Sequence, residues 1–282
     1  MKIILSRKGF DSAAGGYANP ILPDGTLLSL PIPDKSSSVC FSDLSYKGKS
    51  YYEIMGELHG TKMKEDGKPA ILSEISGCHL DPDIRVEAVK RLSGWKGLFG
   101  QIGAAQSHLK NQSVGVGDLF LYFGWFRKTV LVDGKLKFDK NDKHGRHIIY
   151  GYLQVGDVIS ANREAVFEPW MMGHPHTYSE RLDRTGNTIY VAKDSLSFND
   201  KLAGYGVFAY DDRLVFTKPG EARSKWTLPD CFCHAEISYH TKNNWKDGYF
   251  QSAARGQEFV IGENDEVFKW AERLFMDKAM NI

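Results

Sequence analysis

Residues 118–126 read DLFLYFGWF and residues 147–159 read HIIYGYLQVGDVI. Both runs are too apolar and too aromatic for a surface segment, and each has strand length. In the first run, alternation sends Phe120, Tyr122, Gly124 and Phe126 to one face and Phe123 and Trp125 to the other. Most of these rings therefore read as a sheet core packed on both faces. Residues 127–132 carry the strand on after a bend, and Asp133-Gly134 turns the chain.

Outward from this centre, residues 3–5, 187–192, 206–210 and 214–217 read as further strands, with Asp211-Asp212 as a hairpin turn between the last two. Leu27, Leu28 and Leu30 form another after the Asp24-Gly25 turn, ended by Pro31 and Pro33. Residues 51–58 fit either a short helix or a strand. Asp83 is placed to cap a loosely amphipathic helix carrying Ile84, Val86, Ala88, Val89 and Leu92, and residues 104–109 read as a second helix. A last helix, capped by Asn264 or Asp265, presents Val267, Phe268, Trp270, Ala271, Leu274 and Phe275 to the β-rich body. The fold class is α+β: a mixed, β-rich sheet or partly closed barrel with a few helices, including a C-terminal packing helix. No repeat or linker divides residues 1–282, which read as a single domain with a change of character near Asn111.

Composition excludes some classes of function. The chain is 42% hydrophobic and 25% charged, an ordinary globular balance, and its net charge of +1 argues against salt-sensitive coating of duplex DNA while leaving room for a local basic patch. Cys40, Cys78, Cys231 and Cys233 contain no C-x-x-C pair, and Cys231-Phe-Cys233-His234 falls short of a four-ligand zinc set, so free or buried thiols are expected. The apolar start at Ile3-Ile4-Leu5 is too short for a signal peptide, and no stretch approaches the ~20 apolar residues of a membrane helix. The expected location is a reducing cytoplasm, without a membrane partner.

Four segments carry residues with chemistry. Ser6, Arg7, Lys8 and Asp11 follow a strand end, where Arg7 and Lys8 can hold a phosphate and Asp11 can orient them or act as acid or base; Gly15-Gly16 permits close backbone approach. A solvated turn explains the same residues. His79-Leu80-Asp81-Pro82-Asp83 can converge one imidazole and two carboxylates for acid–base work or a divalent metal, or can be an ordinary helix entry. The aromatic strand ends in Trp125 and Arg127, which share a face and suit base stacking. His174-Pro175-His176 sets two imidazoles in a loop, a weak metal pattern on its own. P-loop, Rossmann, H-E-x-x-H and G-x-S-x-G signatures are absent.

The segments KIILSRKGFDSAAGG, SLPIPD, CHLDPDI, GQIGAAQSHL, GDLFLYFGWFR, HIIYGYLQVGDVI, and HPH with NTIYVA, taken in order, resemble the third of the nucleotide modification associated domain families, found in bacteria and phages. The resemblance runs through nearly the whole chain. It implies a place in systems that make or handle modified bases, with a nucleotide or DNA, modified or not, and other proteins of the system as partners. It also marks polar positions within the shared motifs: His79, Asp81, Asp83 and Asp11 as catalytic candidates, and Ser6, Arg7, Lys8, Gln101, Gln106, His108, Trp125, Arg127, His174 and His176 as nucleotide-binding candidates. A divalent metal is the one cofactor these residues bring into view. In the middle of the chain, Val116-Gly117-Asp118 before the aromatic strand and the long strand after it is similar to PUA-like barrels, some of which read modified bases. Three functions remain open: an enzyme acting on a nucleotide or a base in DNA, a non-catalytic reader with an aromatic pocket, and a structural partner of a modification or defence complex.

Overall fold

The computed structural model describes residues 1–253 and 256–276. Nine strands form one mixed sheet: β1 (Ile3–Arg7), β2 (Asn19–Ile21), β3 (Leu98–Gln101), β4 (Leu119–Val132), β5 (Lys135–Phe138), β6 (Arg146–Ser160), β7 (Thr188–Ala192), β8 (Tyr205–Val207) and β9 (Glu258–Ile261). The main path runs β9-β1-β4-β6-β7-β3, with β2 and β5 added to β4 and β8 to β6. β4 pairs in parallel with β1 and β2, and every other pairing in this sheet is antiparallel. Strands from both sides of Asn111 thus lie in one sheet.

The aromatic run behaves as its alternation demands. Phe120 and Tyr122 pack against Phe99, at ring-centroid distances of 4.9 and 5.4 Å, while Phe123 meets Phe216 and Trp226 at 5.6 and 5.2 Å. Burial on both faces removes the polar half of the usual strand pattern, which is why the run reads as continuously apolar. A bulge at Tyr122/Phe123 shifts the register against β6. Trp125 alone among the rings of this strand stays half-buried, midway along it, where it lines the cleft described below.

The helices are α1 (Tyr51–His59), α2 (Gly103–Asn111), α3 (Ser179–Leu182) and α4 (Asp265–Arg273). A reciprocal Ser50–Glu53 capping box starts α1 and resolves the helix-or-strand ambiguity. Asn264, not Asp265, caps α4, accepting from the backbone N–H of Glu266 and Val267. Val267, Trp270, Ala271, Leu274 and Phe275 are buried in the main core, as the apolar face of the sequence requires.

Several expectations need correction. The sheet is open, because β9 and β3 at its ends do not pair with each other, so the partly closed barrel and the PUA-like likeness find no support. Asp83 caps no helix: its backbone pairs with Leu98, its carboxylate takes a two-pronged contact from Arg91, and only a single 3-10 turn, Val86–Ala88, follows. Val86 and Leu92 are exposed, so the apolar spacing there does not mark a buried face. Leu27, Leu28 and Leu30 are fully buried without forming a strand; Leu30 N–H is taken by the Asn19 side chain instead of a ladder. Asp211-Asp212 begins a 3-10 turn, Asp212–Leu214, and residues 214–217 make isolated bridges only. Cys231 and Cys233 lie in a 3-10 turn, and all four cysteines are free. Among the described residues no helix is long and apolar enough to cross a membrane.

Candidate active site

β1 ends at Arg7, and the parallel ladder continues one residue further through Lys8 N–H to Phe123 O (2.9 Å). Gly9 then turns the chain with φ +81°, a conformation that favours glycine, and a Cβ there would lie 2.6 Å from Ser29 Oγ. The loop after it is shaped by Asp11, whose carboxylate accepts from the N–H groups of Ala13 (2.6 Å) and Ala14 (2.8 Å). These residues form one wall of a cleft of about 620 Å³.

The floor comes from two loops far apart in sequence. His79, at the end of a two-residue ladder against Ile32–Pro33, and Asp81 arrive from one; His174 and His176, flanking Pro175, arrive from the other. Asp81 is the hub. Its Oδ1 accepts from Gly100 N–H (2.8 Å) and lies 3.4 Å from His174 Nε2, while Oδ2 lies 3.7 Å from His79 Nε2 and 3.9 Å from His176 Nε2. Gly100 permits this arrangement: a Cβ on it would lie 2.1 Å from the His176 ring. Behind the floor, Asp34 Oδ2 contacts His79 Nδ1 (3.2 Å) and accepts from Arg181 (2.9 Å), and Asn187 Oδ1 meets His176 Nδ1 (2.6 Å). His79, Asp81 and His176 offer ligand atoms within 4.8 Å of one another, the one such metal-capable group among the described residues.

Charge is arranged accordingly. Burial alone would raise the Asp81 carboxyl pKa, but the adjacent His174 and His79 imidazoles, with the charge of His174 and His176, hold it well below the ordinary value. Burial also works against protonation of His79, yet the Asp34 and Asp81 carboxylates raise its pKa overall. His176 goes the other way, pushed down to about 3 chiefly by burial. Around the floor stand Arg7, Lys8, Arg181 and Arg223. Lys8 is paired with buried Glu258 at 2.8 Å, and Gln101 donates to the same carboxylate at 2.7 Å. Arg223 lies over the Trp125 ring at 3.8 Å. His147, which accepts from Trp226 Nε1 at 3.1 Å, also lines the cleft and is pushed down to about 3 by burial and by the nearby Arg223 and Arg7.

A cationic cleft over a His–Asp floor, assembled from the ordered motifs of one chain, is the setting for the sequence comparison. The family model described as nucleotide modification associated domain 3 matches residues 2–262. The chain belongs to that family. Membership gives it a role in nucleotide modification systems, with nucleotides, nucleic acid or other system components as the matching partners. Among curated proteins and among solved structures, nothing matches the chain.

Within this family member, the candidate residues fall into two groups. Arg7, Lys8, Asp11, His79, Asp81, Gln101, Trp125 and His176 line the cleft, and His174 lies directly behind Asp81. The others point elsewhere. Ser6 is buried within β1 with an unpartnered hydroxyl, Gln106 accepts from Tyr190 OH, and His108 contacts Ser238 and lies against the Tyr239 ring. Asp83 is held by Arg91. Arg127 does not extend the Trp125 surface: its guanidinium donates to the carbonyls of Asp139 and Asp142 and covers Phe138. Sequence reasoning missed Asp34, Gly100, Arg181, Asn187, Arg223 and Glu258. Asp34 lies in the SLPIPD motif and was open to notice; Arg223 and Glu258 carry no local signal.

Proposed function

We propose that this protein is an enzyme of a nucleotide modification system, acting on a nucleotide, either free or in a nucleic acid. The carrying observation is the convergence of His79, Asp81, His174 and His176 at the base of a cleft rimmed by arginines. Guanidinium groups are forked donors matched to phosphate oxygens, and Arg7 and Arg223, which also donate to Gly256 O (2.8 Å) and Ser12 Oγ (3.1 Å), line the cleft where that part of the substrate would lie. Burial lowers the pKa of both, but an arginine starts high enough to keep its charge at neutral pH. The reacting atom would then lie over Asp81, His79 and His176, the floor groups that line the cleft. A role confined to reading bases draws less support, because Arg127 is committed to loop carbonyls and Arg223 already covers the Trp125 ring.

The test is mass spectrometry of nucleosides after incubating the purified protein with phage DNA and, separately, with a nucleotide pool, each with added Mg²⁺ or Mn²⁺. A mass change that disappears in Asp81→Ala is expected. Binding of modified DNA with no mass change under any condition would replace the enzyme with a reader.

A further inference from the structure

We infer that His79 Nε2, Asp81 Oδ2 and His176 Nε2 bind one divalent first-row transition-metal ion at the floor of the cleft. The centre lies within the site of the proposed enzyme and adds its cofactor class to that reading. Hydrogen positions decide which ring nitrogens are free to bind a cation. The Asn187 amide nitrogen donates to Ala161 O (3.0 Å) and to His176 O (2.9 Å), so its oxygen must face the His176 ring. His176 Nδ1 therefore carries the hydrogen, and its Nε2 presents a bare lone pair toward Asp81, 3.9 Å away.

The same logic applies to the other rings. His79 Nδ1 faces the Asp34 carboxylate, an acceptor, at 3.2 Å; Arg181 is 3.3 Å from that nitrogen but makes its shorter contact, 2.9 Å, to Asp34. His79 thus donates from Nδ1 and turns Nε2 toward Asp81. His174 is the reverse case. Its Nδ1 accepts from His176 N–H (3.3 Å), which leaves a hydrogen on Nε2; that nitrogen lies 3.4 Å from Asp81 Oδ1 without a formed hydrogen bond. Gly100 N–H fills the same oxygen. Oδ1 of Asp81 is therefore held by Gly100 N–H with His174 Nε2 beside it, and Oδ2 is turned toward two imidazole nitrogens.

Two lone pairs and an anionic oxygen facing each other in a buried space repel unless a cation lies between them. A proton on His79 Nε2 is the competing occupant, and metal binding displaces it. The carboxylate–imidazole separations of 3.7 and 3.9 Å, and the 4.8 Å within which all three ligand atoms lie, are wider than the ~3.3 Å between ligands about 2.0–2.1 Å from a tetrahedral ion, so the two loops would draw together around it. Backing each ligating imidazole with an oxygen acceptor is the usual outer arrangement of histidine–metal sites. Two nitrogens and one carboxylate favour zinc, iron(II), manganese or cobalt over magnesium, which prefers oxygen alone. Three protein ligands leave coordination positions open to the cleft, the pattern of a catalytic centre. His174 is a positioning residue that orients Asp81.

The experiment titrates chelator-stripped full-length protein with Co²⁺ alone and follows the visible spectrum, stoichiometry and thermal stability, with binding of a nucleoside triphosphate measured separately. One equivalent of Co²⁺ should bind with nitrogen/oxygen-type bands and no thiolate charge-transfer band. It should be lost in His79→Gln and His176→Gln, and weakened ~10–100-fold in Asn187→Ala. If those buried variants fail to fold, the double variant Cys231→Ser, Cys233→Ser decides: an unchanged spectrum supports the centre. A thiolate band lost in that double variant overturns it, as does the absence of stoichiometric Co²⁺. Nucleotide binding without metal uptake would remove the centre and leave the nucleotide cleft; metal uptake without nucleotide binding would do the opposite.

Discussion

The floor and the rim of the cleft are built by different physics. On the floor, the side chains of His79, Asp81, His174 and His176 are largely shielded, and each is fixed by a partner that is itself fixed: Asp34 by Arg181, Asn187 by two carbonyls, Asp81 by Gly100. On the rim, Arg7 from the end of β1 and Arg223 from a loop line the cleft, with Trp125 beneath Arg223 and Asp11 nearby. Fixed groups suit bond-making steps, which tolerate little misplacement. Cations on longer side chains suit capture of an anion, where reach and charge matter more than exact angle. The two regions should therefore fail in different ways when altered.

The largest effect is expected on the floor. Asp81→Asn keeps the shape but removes the charge that His79 and His174 face, and turnover should fall ~10²–10⁴-fold while nucleotide affinity stays close to that of the unaltered protein. Parallel kinetics and equilibrium binding check it; equal losses in both would erase the division between floor and rim. Next in size is Arg223→Ala. Nucleotide affinity should fall ~10–100-fold, the range for losing a hydrogen bond to a charged group, and the salt dependence of binding should weaken, with little change in the rate of the bound complex. A change confined to that rate would move Arg223 from capture to chemistry.

Gly100→Ala tests whether the floor depends on close approach. The new methyl would meet the His176 ring and force it off Asp81. A stability loss of ~1–3 kcal/mol is expected from overpacking, together with loss of turnover at unchanged nucleotide affinity. Urea unfolding gives the first quantity and kinetics the second. Wild-type turnover would show that His176 has no part in the reaction.

How much of this was legible depends on whether a residue's role is set locally. The β4 and β6 runs announce themselves because both faces are buried, and burial on both faces leaves an unbroken apolar signature. α4 is legible for a related reason: one face alone enters the core, which writes a 3.6-residue period into its sequence. Residues 84–92 show the limit of such patterns. A similar spacing there yields only one 3-10 turn, because Asp83 is engaged by Leu98 and Arg91, which spacing cannot reveal. In the site, the motifs around His79 and His176 stand out singly, but their meeting at Asp81 is set by loop paths and by Gly100. Asn187 and Asp34 lie within the NTIYVA and SLPIPD motifs, but the histidines they back are reached only through the fold. Gln106, His108 and Arg127 show the converse, polar residues within shared motifs that support packing or loops.

His147 lies where the two regions meet, lining the cleft yet packed against the Trp226 ring, and it supplies the smallest effect. Its pKa in the folded protein, about 3, is far below the ~6.5 of an exposed histidine, because burial and the neighbouring arginines oppose its charge. The sign follows directly. As pH falls through 6.5 toward 3, the unfolded chain takes up a proton that the folded one refuses, so stability drops. Between pH 7 and pH 6 this costs about 0.7 kcal/mol. His79, whose pKa is raised, acts in the opposite direction, so total stability cannot isolate the effect. The difference between the unaltered protein and His147→Gln can, since His79 is common to both and a glutamine oxygen can still accept from Trp226. Urea unfolding at the two pH values should show the unaltered protein losing that amount relative to the variant. A pH-independent difference would mean that His147 is hydrated from the cleft and belongs with the rim, not with the core that supports the floor.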